Sequence, residues 1–470
     1  MKKALYVLII LALVLSNCAK KNTIEDIEKA NDSAEAVEAF EPSISSAQEI
    51  HQWMFVDAPA GLRVRNNPSM DADRIGLLDD STSIFAVKKD IHTVTIDGIE
   101  SYWIFIETDD SKGWVFGGYL SFDRPVRPDT MGNFRAYVND GAISIVGYIG
   151  TATDIVIPES INGMPVVAIG YEAFSSSQLT NVTIPDSVTY IGDYAFSGNR
   201  LTNLMIPDSV THIGDYAFAK NQLTNLMIPD SVTHIGDYAF ASNQLTNLTI
   251  PDSGTHIGES AFAGNQLTDL MIPHGVSHIG ARVFLGNRLT NLTIPNSVTH
   301  IGNYAFAWNQ LTSLTIPNSV THIGEWAFRT NQLTNLTIPD SVIYIGGYAF
   351  FENQITSLTI PNSITYIRVG TFSSNQLTNL TIPNSVTHIE GNAFARNRLT
   401  DLVIPHSITY IDAGTFSRNQ LTNLTIPNSV TSIRFDAFRY NQLTSVSIPD
   451  SVTDIERDAF DENVSITRSP

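Results

Sequence analysis

The sequence predicts a mainly-β protein in which a small β-barrel precedes a long solenoid of parallel strands. An Ile-Pro pair occurs at Pro185 and then every 22 residues to Pro449, which makes twelve equal steps without an insertion. The step before them, from Pro158 to Pro185, is longer at 27 residues. A fixed period of this length indicates stacked units that bury their apolar faces against each other. Ahead of the repeats, short β-type runs alternate with turn residues.

The composition excludes several classes of protein. The chain of 470 residues carries 27 basic and 47 acidic residues, a net charge of −20. Nucleic-acid binding is disfavoured, because it needs a clustered positive field. The single cysteine excludes a disulfide framework, a Cys-based zinc site and an iron–sulfur cluster. There is no Gly-rich phosphate loop, HExxH or GxSxG motif. We therefore expect neither an enzyme nor a cofactor.

Residues 1–17 have the pattern of a secretory signal, with Lys2 and Lys3 ahead of an apolar run that ends at Leu15. Twelve apolar residues are too few to span a bilayer as a helix. The segment Leu15-Ser16-Asn17-Cys18 resembles a bacterial lipobox, although Asn17 stands where Gly, Ala or Ser is usual. The resemblance implies lipidation at Cys18 and a membrane anchor. An ordinary cleaved signal with an incidental cysteine is the alternative.

Residues 18–48 are rich in Glu, Asp, Ala and Ser, which predicts an acidic flexible tether. Residues 49–125 resemble a bacterial SH3 domain, on the segments GLRVRNNPS (61–69) and GWVFGGYLS (113–121). The resemblance implies a small β-barrel whose groove binds peptidoglycan or its stem peptides. Trp103, Trp114 and Tyr119 are the candidate groove residues, and core packing is the alternative for the two tryptophans. Residues 126–133 are predicted to be a linker.

Residues 134–470 resemble the BspA-like, or treponemal-type, leucine-rich repeats. The carriers are the Leu-x-x-Leu-x-Ile spacing and the continuation Ile-Pro-x-Ser-Val-x-x-Ile-Gly-x-x-Ala-Phe, as in LTNLMIPDSVTHIGDYAFAKNQ (201–222). The predicted fold is thus a leucine-rich-repeat solenoid preceded by an SH3-like barrel. The resemblance implies an adhesion or interaction scaffold, since such relatives attach to host matrix proteins, other bacteria and epithelial cells.

Residues 22 positions apart form columns in such a stack, and their chemistry separates packing from binding. We predict a strand at Asn203 to Ile206 that pairs in parallel with its copies. The phenylalanines from Phe174 to Phe460 are expected to form a continuous aromatic spine. The asparagine column that contains Asn221 is assigned to structure, because amides satisfy turn backbone groups.

The histidine column favours stacked rings, because tyrosine replaces histidine in several units; metal binding is the alternative. Its members are His212, His234, His256, His278, His300, His322 and His388. The threonines of the strand face are interpreted as strand-forming residues that face water. Ice binding is the alternative, and it is disfavoured because Met205, Met227 and Met271 interrupt the threonine array.

Variation between units is concentrated after the glycine and after the phenylalanine of each repeat. Exposed Trp, Phe and Arg are the residue types that anchor interfaces. We therefore place a candidate partner site at Trp308, Trp326, Arg329 and Phe351, with drift at unconstrained loop positions as the alternative.

Two locations in the cell envelope are compatible with these features. The favoured one is the outer surface, where the solenoid binds proteins or glycans of host matrix or cell surfaces. The other is the periplasm, with the SH3-like module on peptidoglycan.

Overall fold

A computed structural model describes residues 141–469 without a gap. Before them it describes residues 47–56, 62–65, 68, 74–78, 83–96, 99–107, 112–117, 120–121 and 129–139. The predicted signal peptide, Cys18, most of the predicted tether and Tyr119 lie outside the described residues. Among these residues there is no candidate for a membrane-spanning helix.

Seven antiparallel strands form the sheet that we call the N-terminal sheet. They are β1 (Ala47–Val56), β2 (Leu62–Arg65), β3 (Arg74–Leu78), β4 (Ser83–Ile96), β5 (Ile99–Glu107), β6 (Lys112–Phe116) and β7 (Leu120–Ser121). The strand order is β3-β2-β6-β5-β4-β1-β7. Trp103, Trp114 and Phe116 are buried on it, with Trp103 edge-on to Phe116 at 6.2 Å between ring centroids.

A mixed sheet opens the solenoid. It begins with β8 (Asp129–Met131), β9 (Phe134–Asn139), β10 (Ala142–Tyr148), β12 (Ser160–Ile161) and β13 (Met164–Ile169), whereas β11 (Asp154–Val156) pairs in parallel with β14 (Asn181–Thr183) in a separate sheet. β8, β9 and β10 pair antiparallel, and β10 then pairs in parallel with β13. Ile143 and Ile145 of β10 are buried against the first coil, so this sheet closes the apolar end of the stack. β8 lies within residues 126–133, for which the sequence predicted a linker.

The repeats themselves contribute two kinds of short strand. The three-residue strands are β14 (Asn181–Thr183), β17 (Asn225–Met227), β19 (Asn247–Thr249), β21 (Asp269–Met271), β23 (Asn291–Thr293), β27 (Ser357–Thr359), β29 (Asn379–Thr381), β31 (Asp401–Val403) and β33 (Asn423–Thr425).

The two-residue strands are β15 (Tyr190–Ile191), β16 (His212–Ile213), β18 (His234–Ile235), β20 (His256–Ile257), β22 (His278–Ile279), β24 (His300–Ile301), β25 (His322–Ile323), β26 (Tyr344–Ile345), β28 (Tyr366–Ile367), β30 (His388–Ile389), β32 (Tyr410–Ile411), β34 (Ser432–Ile433) and β36 (Asp454–Ile455). The array ends with β35 (Ser445–Pro449) parallel to β37 (Ser465–Ser469).

The parallel solenoid is confirmed, but the strand predicted at Asn203 to Ile206 is wrong. No strand forms there, and the three-residue strands otherwise pair only two by two. Proline ends each of these segments and removes a donor, and the bond from Thr224 N–H to Thr202 O is long at 3.4 Å. The longer ladders run through the two-residue strands instead, as in β13-β15-β16-β18-β20.

The aromatic spine is confirmed. Each phenylalanine of this 22-residue column, from Phe174 to Phe460, stacks on the next, with ring centroids 5.0–5.8 Å apart and ring planes within 13°. Apart from the slightly exposed Phe460, these rings are at most 1% exposed. They form one cluster with the leucine, isoleucine, valine and alanine columns, so a single core runs through the array.

The asparagine column is confirmed as structural. In a typical unit, Asn309 Nδ2 donates to the carbonyls of Phe284 at 3.0 Å and Phe306 at 3.1 Å, and its Oδ1 accepts the Leu289 N–H at 3.0 Å. The same three bonds recur from Asn199 to Asn419. Each amide thereby joins two neighbouring coils through groups that would otherwise be buried without partners.

The turn after each two-residue strand comes in two forms. In the glycine turns, Gly170 to Gly346, every unit has a glycine. A Cβ on Gly236 would lie 2.6 Å from the backbone carbon of Gly214, so the coils approach too closely for any other residue. In the charged turns the glycine is replaced by Arg368, Glu390, Asp412, Arg434 and Glu456.

Candidate functional site

Two positions of each turn adopt the left-handed backbone conformation. In one unit they are Tyr216 and Lys220, both with φ of 55°. The first column continues through Trp326 (φ 60°) and the second through Trp308 (φ 54°). This conformation costs most for β-branched residues, so such residues are disfavoured there. These are the columns where variation between units is concentrated, and they place large side chains along one face, which we call the turn face.

Six side chains on the turn face form what we call the aromatic cluster: Tyr304, Trp308, Trp326, Arg329, Tyr348 and Phe351. Trp326 stacks on Tyr348 with 4.0 Å between centroids and 4° between planes. On its other side lies Tyr304 at 5.8 Å and 12°. Phe351 stands edge-on to both Trp326 and Tyr348, at 6.0 and 5.7 Å. Because the rings come from three successive coils, the stack of coils is what assembles the cluster.

The guanidinium of Arg329 lies at the centre of the cluster. Its carbon is 5.2 Å from the ring centroid of Trp308, 4.6 Å from that of Trp326 and 5.3 Å from that of Phe351. These distances are within the range of cation–π attraction. The structure therefore brings together all four residues that the sequence singled out, and all four are half-buried. Their role in binding a partner stays a prediction.

The cluster is bounded on both sides along its column. Arg282 lies over Tyr304 at 5.5 Å, and Gly370 follows Tyr348. A Cβ on Gly370 would lie 2.1 Å from the Tyr348 ring, so that ring covers the glycine. Sequence reasoning missed Tyr304 and Tyr348. They lie 22 residues before and after Trp326, so the period itself was the signal for them.

The chemistry of the cluster suits contact with another molecule. Stacked rings offer a large apolar area with few rotatable bonds, and they lose little entropy when a ligand covers them. The arginine adds charged donors that are held in position by the rings. A protein segment or the apolar face of a sugar fits such a surface.

The histidine column consists of stacked, partly exposed rings, as the tyrosine substitutions predicted. Ring centroids lie 4.7 Å apart between His278 and His300 and 4.5 Å apart between His300 and His322. Burial together with these two neighbouring imidazoles lowers the pKa of His300. Among the described residues, no group of three or more His, Cys, Asp or Glu is placed to hold a metal ion.

The threonine-rich face is held by bonds within the array. The hydroxyl of Thr246 donates to the carbonyl of Thr224 one coil earlier at 3.2 Å, and the same bond recurs in other units. Met205, Met227 and Met271 are strongly exposed on this face. The hydroxyls thus serve the pairing of the coils, which supports the structural interpretation.

The residues proposed for an SH3 groove lie elsewhere. Trp103 and Trp114 are 3% and 2% exposed in the core of the N-terminal sheet. This placement corresponds to the alternative of core packing, since a buried ring has no face for a ligand. Tyr119 and Cys18 lie outside the described residues.

The fold, the 22-residue coil and the columns define a leucine-rich-repeat solenoid. The family model described as "BspA type Leucine rich repeat region (6 copies)" matches residues 167–288, 277–399 and 343–467. Because these matches cover more than half of the chain, the protein belongs to the BspA-type leucine-rich repeat family. Membership indicates a non-catalytic repeat scaffold for protein interaction, and no catalytic family is indicated.

One solved structure supports the fold, and two others are similar in sequence. A leucine-rich repeat protein from Bacteroides ovatus is 21% identical, covers 73% of this chain and 100% of its own, and gives a TM-score of 0.57. A leucine-rich cell surface protein from Faecalibacterium prausnitzii is 25% identical over 74% and 96%, with a TM-score of 0.43. A leucine-rich repeat protein from T. pallidum is 30% identical over 39% and 89%, with a TM-score of 0.36. A search of curated proteins finds no match.

Proposed function

We propose that this protein is a lipid-anchored adhesion scaffold of the cell envelope, displayed on the outer surface, whose solenoid binds a partner through the aromatic cluster. One observation carries the proposal: Trp308, Trp326, Arg329 and Phe351, chosen from the sequence by residue type, converge within one patch of the turn face. Tryptophan and arginine are the residues in which binding energy concentrates at protein interfaces. The partner class is a protein or glycan of host matrix or cell surfaces.

The test is a binding assay of the purified chain on immobilised matrix proteins, epithelial cells, bacterial cells and glycans. Trp326→Ala together with Phe351→Ala is expected to weaken binding at least about tenfold, the loss that corresponds to a moderate hot spot. Tyr440→Ala is the matched control, because Tyr440 is an exposed aromatic residue beside two arginines outside the cluster. Equal binding by both variants and the wild type would overturn the role of the cluster. Absence of binding to every surface would overturn adhesion itself.

The anchor is proposed from the lipobox-like segment Leu15 to Cys18. Metabolic labelling with a radioactive fatty acid is expected to mark the wild type and not Cys18→Ala. Protease treatment of intact cells then tests display: degradation of the solenoid supports the outer surface. Full protection favours the second candidate, a periplasmic protein whose SH3-like module holds peptidoglycan, for which the segments 61–69 and 113–121 are the motivating observation.

A further inference from the structure

A contact between the N-terminal sheet and the first coils of the array goes beyond partner binding. Arg63 of β2 reaches Asp193 with two bonds, Nε to Oδ2 at 3.2 Å and Nη2 to Oδ1 at 2.7 Å. The same Nη2 lies 3.0 Å from Asp215 Oδ1, and Arg74 of β3 pairs with Asp215 Oδ2. Two arginines of one sheet thus hold two carboxylates of successive glycine turns.

The carboxylates are buried at this contact. The side chains of Asp193 and Asp215 are 4% and 2% exposed, whereas Arg63 and Arg74 keep 29% and 27%. A buried carboxylate is costly unless it is paired and hydrogen-bonded. Here each also accepts a backbone bond from the following coil: Asp193 Oδ1 from Asp215 N–H at 2.8 Å and Asp215 Oδ1 from Asp237 N–H at 3.0 Å. Each aspartate thus has two kinds of partner: a backbone N–H of the following turn and an arginine of the N-terminal sheet.

Burial and the close approach of several charges shift the pKa values of the groups at this contact. Burial opposes the charge of Arg63, yet Asp193 and Asp215 raise the pKa of its guanidinium. Burial and the neighbouring charges of Arg63 and Arg74 lower the pKa of Arg65, which is 8% exposed on the same strand as Arg63. Burial and the charge of Asp215 raise the pKa of Asp237 in the next turn. The like charges on each side of the contact are therefore stabilised by the opposite charges across it, in addition to the backbone bonds that the aspartates accept.

The aspartates at this position are also confined to one end of the array. Aspartate follows the turn glycine at Asp193, Asp215 and Asp237, and the same position then holds Glu259, Ala281, Asn303, Glu325 and Gly347. Asn303 makes the same kind of bond as the aspartates, because its Oδ1 accepts the Glu325 N–H at 2.8 Å. The turn therefore does not need a charge, and the charge at Asp193 and Asp215 serves the arginines.

We propose that Arg63 and Arg74, with Asp193 and Asp215, form a specific clamp that docks the N-terminal sheet on the first glycine turns and fixes its orientation on the array. The docked sheet occupies the first part of the side on which the turns lie. The aromatic cluster lies further along, in the turns from Tyr304 to Phe351, and stays clear of the clamp residues. A partner held by the cluster is then oriented relative to the N-terminal sheet.

The test measures the distance between the two parts in the full chain. Spin labels are placed at Ile99→Cys and Met227→Cys, both exposed, with Cys18→Ser to leave no other thiol. Pulsed electron resonance is expected to give a narrow distance distribution for this background. Asp193→Asn with Asp215→Asn keeps the oxygen for the backbone bond, as Asn303 does, and is expected to broaden the distribution. Arg282→Gln is the matched control, since it removes an exposed pair with Glu259 away from the sheet.

A second measurement separates the clamp from local damage to the turns. Arg63→Gln with Arg74→Gln leaves two buried carboxylates without cations and is expected to lower the Tm. Adding Asp193→Asn and Asp215→Asn to that variant removes the unpaired charges and is expected to raise the Tm again. A broad distribution in the wild-type background, an unchanged one in the aspartate variant, or an arginine variant without loss of Tm would each overturn the clamp.

Discussion

In the first part of the array a glycine stands where neighbouring coils come closest, whereas in the last coils a charged side chain stands there. The glycine turns bond forward: the carboxylate of Asp193 accepts the N–H of Asp215 in the next coil. At the two glutamates of the charged turns the bond runs to the preceding coil instead: Glu390 Oε2 accepts the N–H of Val369 at 2.6 Å, and Glu456 Oε2 accepts that of Phe435 at 2.8 Å.

The difference shows that the turn is the adjustable part of the unit. The phenylalanine and asparagine columns continue through both regions without a change, so the core does not depend on how the turn is closed. Removing the glycine makes room for ion pairs such as Arg434 with Glu456 at 2.8 Å. The comparison makes four predictions.

The largest loss of stability is expected when a phenylalanine of the aromatic spine is replaced, and the loss should be equal in the glycine region and the charged region. Phe306→Ala in the glycine region and Phe416→Ala in the charged region each remove a fully buried ring and leave a cavity. Each should reduce the free energy of unfolding by about 3–5 kcal/mol. Urea unfolding followed by circular dichroism measures both. A clearly smaller loss for Phe416→Ala would show that the charged region has a looser core.

The next largest effect should distinguish the two turn types. Gly236→Ala puts a methyl group 2.4 Å from Asp215 Oδ1 and 2.5 Å from its nitrogen, so the coils must separate. Overpacking of this kind costs about 1–3 kcal/mol. Arg368→Ala at the same column is the matched variant and loses a cation–π contact with Tyr344 worth about 0.5–1 kcal/mol. Equal Tm values for the two variants would contradict the close-approach explanation.

In the charged region, stability should fall at acid pH. The bond from Arg434, followed by that from the Phe435 N–H, lowers the pKa of Glu456. A carboxyl group whose folded pKa is lowered stabilises the protein above its unfolded value near 4.3, and this contribution disappears as the pH falls through the folded pKa. Glu456→Gln should therefore flatten the dependence of Tm on pH below about 4.3. An unchanged slope would rule out this pair as a contributor.

The smallest effect is expected in the glycine region, at a higher pH. The pKa of His300 is lowered, so the unfolded chain binds protons more readily than the folded one as the pH falls below about 6.5. Acidification from neutral pH should thus reduce stability. His300→Tyr should lessen this loss of stability, because a tyrosine side chain takes up no proton near pH 6.5. The column accommodates tyrosine, since Tyr344 follows His322 in it. His274→Asn, outside the column, should leave the loss unchanged in the same pH series of melting curves.

The periodic features were predictable because each depends on one column. Stacking places residue i beside residue i+22, so a run of phenylalanine, asparagine or histidine at that spacing identifies its own contacts. The position of the main ladder was not predictable. The Leu-Thr-Asn-Leu segment has the stronger strand pattern, but proline ends it, and pairing moves to the His-Ile position.

The candidate site was predictable only in part, for two physical reasons. Residue type indicated Trp308, Trp326, Arg329 and Phe351, whereas Tyr304 and Tyr348 are indicated only by their 22-residue spacing from Trp326 and not by their residue type. Non-glycine residues at positive φ also carry no local signal, because the neighbouring coils impose that conformation through bonds such as Tyr216 N–H to Asp237 O at 2.8 Å. The clamp joins residues 130 or more positions apart, and no period relates them.

Because every unit has 22 residues, the number of units between two surfaces sets the distance between them. Deleting or duplicating one whole unit between Asp237 and Tyr304 would rejoin every column in register and preserve both the clamp and the aromatic cluster. It would change the separation between them by one coil, about 4.8 Å. Recombination between such similar coding segments would therefore produce folded proteins of graded reach, in which the spacing between two surfaces varies while the surfaces themselves stay the same.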